Sequence, residues 1–410
     1  MRCVSSSQRL RLFVAASMLP FAACGGATTS ESAPGSTRPT APGSVSSSVT
    51  LAATTSPDPE VTCADGEYPA VGAVDLANGE VSWVVCSSAE VWRSLVGATD
   101  KVVVVSEAGD YPEAQTVGFS AADGTELWRR PTTAGMGDIP RGPVAGAGVV
   151  VRVDETGTGL VGLDVLTGDE VWSKDVAAQP LGQGETVTVV ADTEPVDGQP
   201  SGIRGLDRAT GAEVWSSDIW FGDSSGTGVA RGPAAVWDDK IAVPTSDTLT
   251  AVDMATGATL WTAPQTDHPE AVDGVVVGST PASGPTRSIR ALDAANGDVL
   301  WEAPGQSSYG DLLAVGDGIV AVSDGSEIVA YELRTGAERW RRAAEGPAQP
   351  QLIAGTTLIS LWEATLSAIS TSDGSTLWTA TQPLGSPLMN NVSALETTLY
   401  IAVNSRQWGD

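Results

Sequence analysis

The chain has 410 residues and a formal net charge of −28, from 50 Asp and Glu against 22 Lys and Arg. This charge argues against binding to nucleic acid and against electrostatic adhesion to anionic lipid, because both are polyanions. A single histidine and four cysteines leave few residues for a metal site or a nucleophile–base pair.

Residues 1–23 have the pattern of a lipoprotein signal peptide. Three arginines precede an apolar stretch over 12–23, which is too short to span a bilayer. The stretch ends in Ala22-Ala23-Cys24, which resembles the lipobox of bacterial lipoproteins, where the cysteine becomes the acylated N-terminus. We therefore predict lipidation at Cys24 and a location on the extracytoplasmic face of the cell membrane, held by the acyl chains. An ordinary cleaved signal peptide with an incidental cysteine is the alternative.

Residues 24–60 are predicted to be the lipidated cysteine followed by a disordered tether. The segment is rich in Ser, Thr, Pro, Gly and Ala and has almost no large apolar residue with which to bury a core. The folded domain is predicted to span residues 61–410.

Cys63 and Cys86 flank the first strand pair of this domain. Outside the cytoplasm two such cysteines favour a disulfide. The spacing alone leaves two unreactive thiols as the alternative.

A glycine followed four residues later by a tryptophan recurs eight times in the domain. Successive glycines are between 38 residues (Gly336 to Gly374) and 46 residues (Gly211 to Gly257) apart. A period near this length with strand-like content is typical of β-propeller blades. The eight tryptophans, which we predict to pack between blades, are Trp83, Trp128, Trp172, Trp215, Trp261, Trp301, Trp340 and Trp378.

Each repeat predicts a hairpin with a tight turn. In the clearest copy, apolar residues alternate up to Asp164, a turn includes Gly168, and a second strand contains Trp172. The turn-start residue is aspartate in five copies and Ser120, Glu332 or Ser370 in the others. Because these acids are one blade apart from each other, we predict a role in the turns and no metal site.

A second pair of strands precedes each hairpin, which makes four strands per blade. Clear examples are Pro143–Ala145 with Val149–Val153, Ala234–Val236 with Lys240–Val243, and Leu312–Val315 with Ile319–Val322.

The two ends of the domain predict how the ring closes. The first hairpin, Ala73–Trp83, has no preceding pair, whereas Asn391–Leu395 and Leu399–Val403 have no following hairpin. If the N-terminal hairpin and the two C-terminal strands pair in one blade, neither pair leaves an open sheet edge at the point where they meet. The sequence thus predicts an all-β, eight-bladed β-propeller of four-stranded antiparallel blades, closed by its C-terminal strands pairing with the N-terminal hairpin.

No catalytic or metal-binding residue is predicted. His268 stands in the polar stretch Gln265–Glu270, which we interpret as a solvated loop. The sequence contains no phosphate-binding loop, nucleophile elbow or calcium-loop spacing.

Two arginines are candidates for ligand binding. Arg141 and Arg231 each begin the sequence Arg-Gly-Pro before the first strand of a blade, the strand nearest the central channel. Both guanidinium groups are predicted to face this channel and to attract a carboxylate. Arginines that merely lie at a strand entrance are the alternative.

The repeats Ala251–Trp261 and Ala291–Trp301 resemble those of the PQQ-binding-like (quinoprotein-type) propeller family, and the resemblance covers residues 61–410. One branch consists of dehydrogenases that hold the quinone near calcium, in many members against a vicinal Cys-Cys ring. This chain has no adjacent cysteines. A second branch is a scaffold lipoprotein of the outer-membrane barrel-assembly machinery, and a third comprises exported lipoproteins and sensor domains.

The third branch fits best. The resemblance implies a non-catalytic binding, scaffold or sensor module that needs no cofactor and contacts another membrane or cell-envelope protein. The alternatives are a PQQ-dependent oxidoreductase with calcium and the barrel-assembly scaffold.

Overall fold

The computed structural model describes residues 63–65, 67–87, 91–108, 114–132, 148–193, 202–219, 234–245, 247–280, 287–304, 313–323, 326–344, 349–362, 365–381, 384 and 389–403. These residues form strands and turns, and none of them belongs to a helix long and apolar enough to cross a membrane. The predicted signal peptide (1–23), Cys24 and the tether (24–60) lie outside this part of the chain.

The strands of the first half of the domain are β1 (Tyr68–Asp75), β2 (Val81–Ser87), β3 (Trp92–Ala98), β4 (Val102–Ala108), β5 (Gln115–Ser120), β6 (Glu126–Pro131), β7 (Val149–Val153), β8 (Leu160–Asp164), β9 (Glu170–Lys174), β10 (Ala178–Gln183), β11 (Val187–Asp192), β12 (Ile203–Asp207), β13 (Glu213–Ser217), β14 (Ala235–Trp237), β15 (Lys240–Pro244), β16 (Thr248–Asp253) and β17 (Thr259–Pro264). The second half contains β18 (Asp267–Val272), β19 (Val275–Ser279), β20 (Ser288–Asp293), β21 (Val299–Pro304), β22 (Leu313–Gly316), β23 (Ile319–Ser323), β24 (Glu327–Glu332), β25 (Glu338–Ala343), β26 (Gln349–Ala354), β27 (Thr357–Trp362), β28 (Thr365–Ser370), β29 (Thr376–Thr381), β30 (Met389–Leu395) and β31 (Thr398–Val403).

The strands form eight antiparallel blades. Blade 1 is β3–β6, blade 2 is β7–β9, and blades 3 to 7 follow as β10–β13, β14–β17, β18–β21, β22–β25 and β26–β29. Blade 2 has three strands in the described part of the chain, and its predicted first strand, Pro143–Ala145, lies outside it. The eight-bladed propeller prediction is confirmed.

Blade 8 joins the two ends of the domain. Its strand order is β2-β1-β31-β30, so β1 lies between its hairpin partner and the last strand of the chain. The pairing of β1 with β31 runs from Val71 opposite Ala402 to Asp75 opposite Thr398. The predicted ring closure is therefore confirmed, and it leaves neither β1 nor β31 as an exposed sheet edge.

The turn between the third and fourth strands has one geometry in all eight blades. The repeat glycine adopts a φ between 67° and 77°, which an L side chain rarely adopts. Its N–H donates to the carbonyl of the turn-start residue, as Gly168 does to Asp164 over 2.8 Å. The carboxylate of Asp164 also accepts the N–H of Leu166, at 2.8 Å.

Glu332 is an exception among the turn-start residues. Its backbone carbonyl accepts the N–H of Gly336, but its carboxylate turns to Arg339, at 2.7 Å. This hydrogen bond lowers the pKa of Glu332. The backbone of Glu332 therefore preserves the turn, and its longer side chain forms an ion pair instead of bonding to the turn.

Each repeat tryptophan links its blade to the next one. The indole N–H donates to the carbonyl of the residue after the next blade's turn start, over 2.7 to 3.0 Å, and the acceptors for Trp83 to Trp378 in order are Ala121, Val165, Arg208, Met254, Ala294, Leu333, Thr371 and Leu76. The indole also covers the next blade's turn glycine, since a Cβ on Gly79 would lie 2.8 Å from Cε3 of Trp378. The glycine thus supplies both the turn angle and the space for the neighbouring ring.

His268 differs from the predicted solvated loop. It lies in β18, half-buried and with a φ of 49°, where the pairing with β19 shifts register between Asp267 and Glu270. The part of the polar stretch from Asp267 onward lies in the strand, and the buried carboxylate of Asp267 is compensated by Arg287 at 3.2 Å.

Candidate functional site

The two ends of the ring are built from different connections. The turns between the first and second strands lie beside the turns between the third and fourth strands of the same blade. In blade 4, for example, Met254 N–H donates to the carbonyl of Asp239 over 2.9 Å. We call this side the turn end. The opposite side, the loop end, carries the connections between the second and third strands and those between blades.

Arg141 and Arg231 lie outside the described residues. Their orientation toward the channel therefore stays a prediction.

The described part of the loop end contains a buried ion-pair network that the sequence did not predict. Arg93, on the innermost strand of blade 1, is 1% exposed and donates to Glu107 over 2.8 Å. The second carboxylate oxygen of Glu107 accepts from Arg129 over 2.6 Å. Arg93 also donates to the carbonyl of Val403, at 3.3 Å. The network therefore joins blades 8 and 1 beside the ring closure.

The turn end is strongly acidic. Of the seven turns between first and second strands that the structure describes, six carry exposed carboxylates, from Asp100, Glu185, Asp238, Asp239, Asp273, Asp317 and Glu396. The turns between third and fourth strands add Glu80, Asp123, Asp169, Asp298 and Asp373, all exposed. Some cations also lie here: Arg334 donates to the carbonyl of Asp273 over 2.5 Å, and Lys240 to that of Asp238 over 3.1 Å. Both bond to backbone oxygens, so these bonds do not neutralise the carboxylates directly, whereas Arg130 forms an ion pair with Asp169 at 3.1 Å.

A cavity of about 470 Å³ lies between the innermost strands of blades 7 and 8. It is lined by the second halves of β26 and β30 and by their turns: Leu352, Ile353, Ala354, Gly355, Val392, Ser393, Ala394 and Glu396. Because both strands face the central channel, the cavity lies in the channel wall at the turn end. Most of its lining residues are aliphatic, and the carboxylate of Glu396 is its charged group, but polar atoms contribute as much of its exposed surface as apolar atoms.

Arg208 is a buried cation at the turn end, between blades 2 and 3. It is 0% exposed and donates to the carbonyls of Gly184 (2.6 Å) and Val149 (2.5 Å). Burial lowers the pKa of Arg208 to about 10. The sequence contained a signal for it, because the residue after the turn start is uncharged in the other seven repeats: Leu76, Ala121, Val165, Met254, Ala294, Leu333 and Thr371.

Cys63 and Cys86 form a disulfide with a Cα–Cα distance of 5.7 Å. Cys86 lies on β2, the outermost strand of blade 8. The bond therefore fastens the N-terminal end of the described domain to the outer edge of the closing blade. In the described part of the chain, no group of three or more His, Cys, Asp or Glu side chains could hold a metal ion.

The chain is similar to several solved structures. The computationally designed Ika8 protein has 16% identity and a TM-score of 0.56, over 77% of this chain and 95% of that one. BamB from Moraxella catarrhalis has 16% identity and a TM-score of 0.48, over 81% and 90% of the two chains. A europium-containing methanol dehydrogenase has 14% identity and a TM-score of 0.49, over 73% and 81%. At these identities the likeness concerns the fold alone.

Sequence comparison identifies the family. No curated protein sequence matches the chain significantly. The family model described as "Outer membrane protein assembly factor BamB" matches residues 25–199, 199–311 and 285–406, which is most of the chain. The chain therefore belongs to this family of PQQ-like repeat β-propellers.

Proposed function

We propose that this protein is a lipid-anchored, extracytoplasmic propeller that acts as a non-catalytic binding or scaffold module, with a protein of the cell envelope as its partner. The observation that carries the proposal is that the repeat residues are used inside the fold. All eight indoles bond to the next blade, and turn aspartates such as Asp164 and Asp253 bond to their own turns. The family description, an assembly factor, agrees with a protein partner.

A PQQ-dependent oxidoreductase is the competing class. The chain has no adjacent cysteines to contact a quinone, and two of its four cysteines are joined to each other. The described channel-wall cavity offers aliphatic side chains and one carboxylate, with no aromatic ring on which a quinone could stack. These residues do not fit the quinone–calcium pair, and we propose that no cofactor is needed.

Addition of PQQ and calcium to the purified protein is expected to leave the absorbance spectrum of the quinone unchanged. Alcohols and sugars should then reduce no dye, because no described site orients the quinone. The matched control is the protein without PQQ. A stoichiometric spectral change with substrate-dependent dye reduction would show that the protein is an enzyme.

Cys24→Ala is expected to move the protein from the membrane fraction to the soluble fraction, because acyl chains would be its only strong attachment. Cys3→Ala is the matched control: it lies in the predicted signal peptide and should leave fractionation unchanged. Retention of the Cys24→Ala protein on membranes would contradict the anchor.

Crosslinking in wild-type membranes should capture an envelope protein. Failure to capture any protein would contradict the scaffold role. Capture of a component of outer-membrane assembly would select that branch of the family.

A further inference from the structure

The joint between blades 7 and 8 is open toward the central channel. Its lining residues Leu352, Ile353, Val392 and Ala394 are each half-buried. The cavity of about 470 Å³ lies within the range of about 300–1,000 Å³ that is typical of binding pockets. Apolar groups that face such a space gain free energy when another apolar group fills it.

The surroundings of this cavity determine what charge fits it. Glu396 lies on its rim, and the turns at the same end of the channel in five other blades carry exposed carboxylates. The acids extend around the channel mouth and outward onto the hairpin turns of the same face. Clefts lined by charge of one sign concentrate partners of the opposite sign.

We propose that the cavity between blades 7 and 8 binds an extended basic segment of a partner protein, with an aliphatic side chain in the cavity and lysines or arginines facing the acidic turns. The proposal rests on the function proposed above and specifies the chemistry of its partner. A peptide segment fits better than a small organic cation, because the carboxylates are spread over six blades and a single cation would reach few of them.

The probe is a synthetic peptide of about ten residues in which Lys and Leu alternate. Two control peptides replace every Lys by Glu or every Leu by Ser. Binding to the purified protein is measured by fluorescence anisotropy at low and high salt. We expect the Lys/Leu peptide alone to bind, and its affinity to fall as salt rises because exposed charge pairs are screened.

Two variants and one control locate the site. Ala394→Phe fills the cavity and should weaken binding by at least about tenfold. Glu396→Lys should weaken it by about threefold to fivefold at low salt, and less at high salt, as expected for an exposed charge. Glu170→Lys makes the same charge change on the same face, but on the outermost strand of blade 2, and should change the affinity by less than about twofold.

The proposal is wrong if the Ser-substituted peptide binds equally well, if Glu170→Lys weakens binding as much as Glu396→Lys, or if the Lys/Leu peptide does not bind. Should Ala394→Phe fail to fold, as judged by circular dichroism, Ala354→Phe fills the same cavity from the opposite strand. Crosslinking in membranes separates this proposal from the broader one: a partner captured equally by wild type and by the cavity variants contradicts the cavity and leaves the scaffold function standing.

Discussion

Replacement of Trp378 by alanine is expected to lower the free energy of unfolding by about 4 kcal/mol, within the range measured for buried tryptophans. Trp378 is 2% exposed and lies at the joint between blades 7 and 8. Its indole donates to the carbonyl of Leu76 over 2.8 Å and covers Gly79, both of which belong to the N-terminal hairpin. The substitution therefore removes packing, leaves a buried carbonyl without its donor, and weakens ring closure. Denaturant unfolding followed by circular dichroism measures the effect.

Two further variants separate these contributions. Trp378→Phe keeps most of the apolar bulk and loses the N–H, so we expect a loss of about 1–2 kcal/mol. Trp215→Ala makes the same substitution at a half-buried tryptophan and should cost less than Trp378→Ala. A Trp378→Ala protein within about 1 kcal/mol of wild type would show that the indole does not hold the joint.

The second large effect is expected from loss of the disulfide. Cys63 and Cys86 close a loop with a sequence separation of 23. The chain-entropy relation gives about 3 kcal/mol of stabilisation for a loop of this size, because the crosslink restricts the unfolded chain. A protein with both cysteines replaced by alanine should therefore unfold at lower denaturant concentration, with circular dichroism as the measurement.

Reduction of the wild-type protein provides the matched comparison. Reduced wild type and the double variant should unfold at similar midpoints, and the oxidised protein at a higher one. The control is Cys24→Ala, which leaves the bond intact and should not change the midpoint. Equal midpoints for oxidised and reduced protein would mean that the bond adds nothing to the stability of blade 8.

Most of the architecture could be predicted because the residues that build it act locally and repeat. Gly168 and Trp172 lie four residues apart, so the turn and the strand after it are both visible in a short stretch of sequence. Ring closure could be predicted from the strands that were left without partners at the two ends of the domain. His268 was placed wrongly because a run of polar residues resembles a loop, whereas Arg287, which lies 20 residues further along and just before β20, compensates the buried carboxylate of Asp267.

The candidate site could not be predicted in the same way. The cavity depends on the gap between Leu352 and Val392, which lie on separate blades, and no local pattern reports the distance between blades. The Arg93–Glu107 pair likewise has no repeat signature. Arg208 is the exception, because it is a charged residue at a position that is uncharged in the other repeats. The predicted ligand-binding residues Arg141 and Arg231 lie outside the described part of the chain.

The position of β1 has a consequence for the order in which the protein can fold. Its partner β31 ends at Val403. During synthesis β1 therefore pairs with β2 alone until nearly the whole chain has been made, and only then can it pair with β31. Contacts so distant in sequence form slowly, and an unpaired strand edge can meanwhile pair with another chain. The blade that closes last therefore contains the strands that are synthesised first, and a truncation that removes β31 would leave a chain with most of its blades and no closed ring.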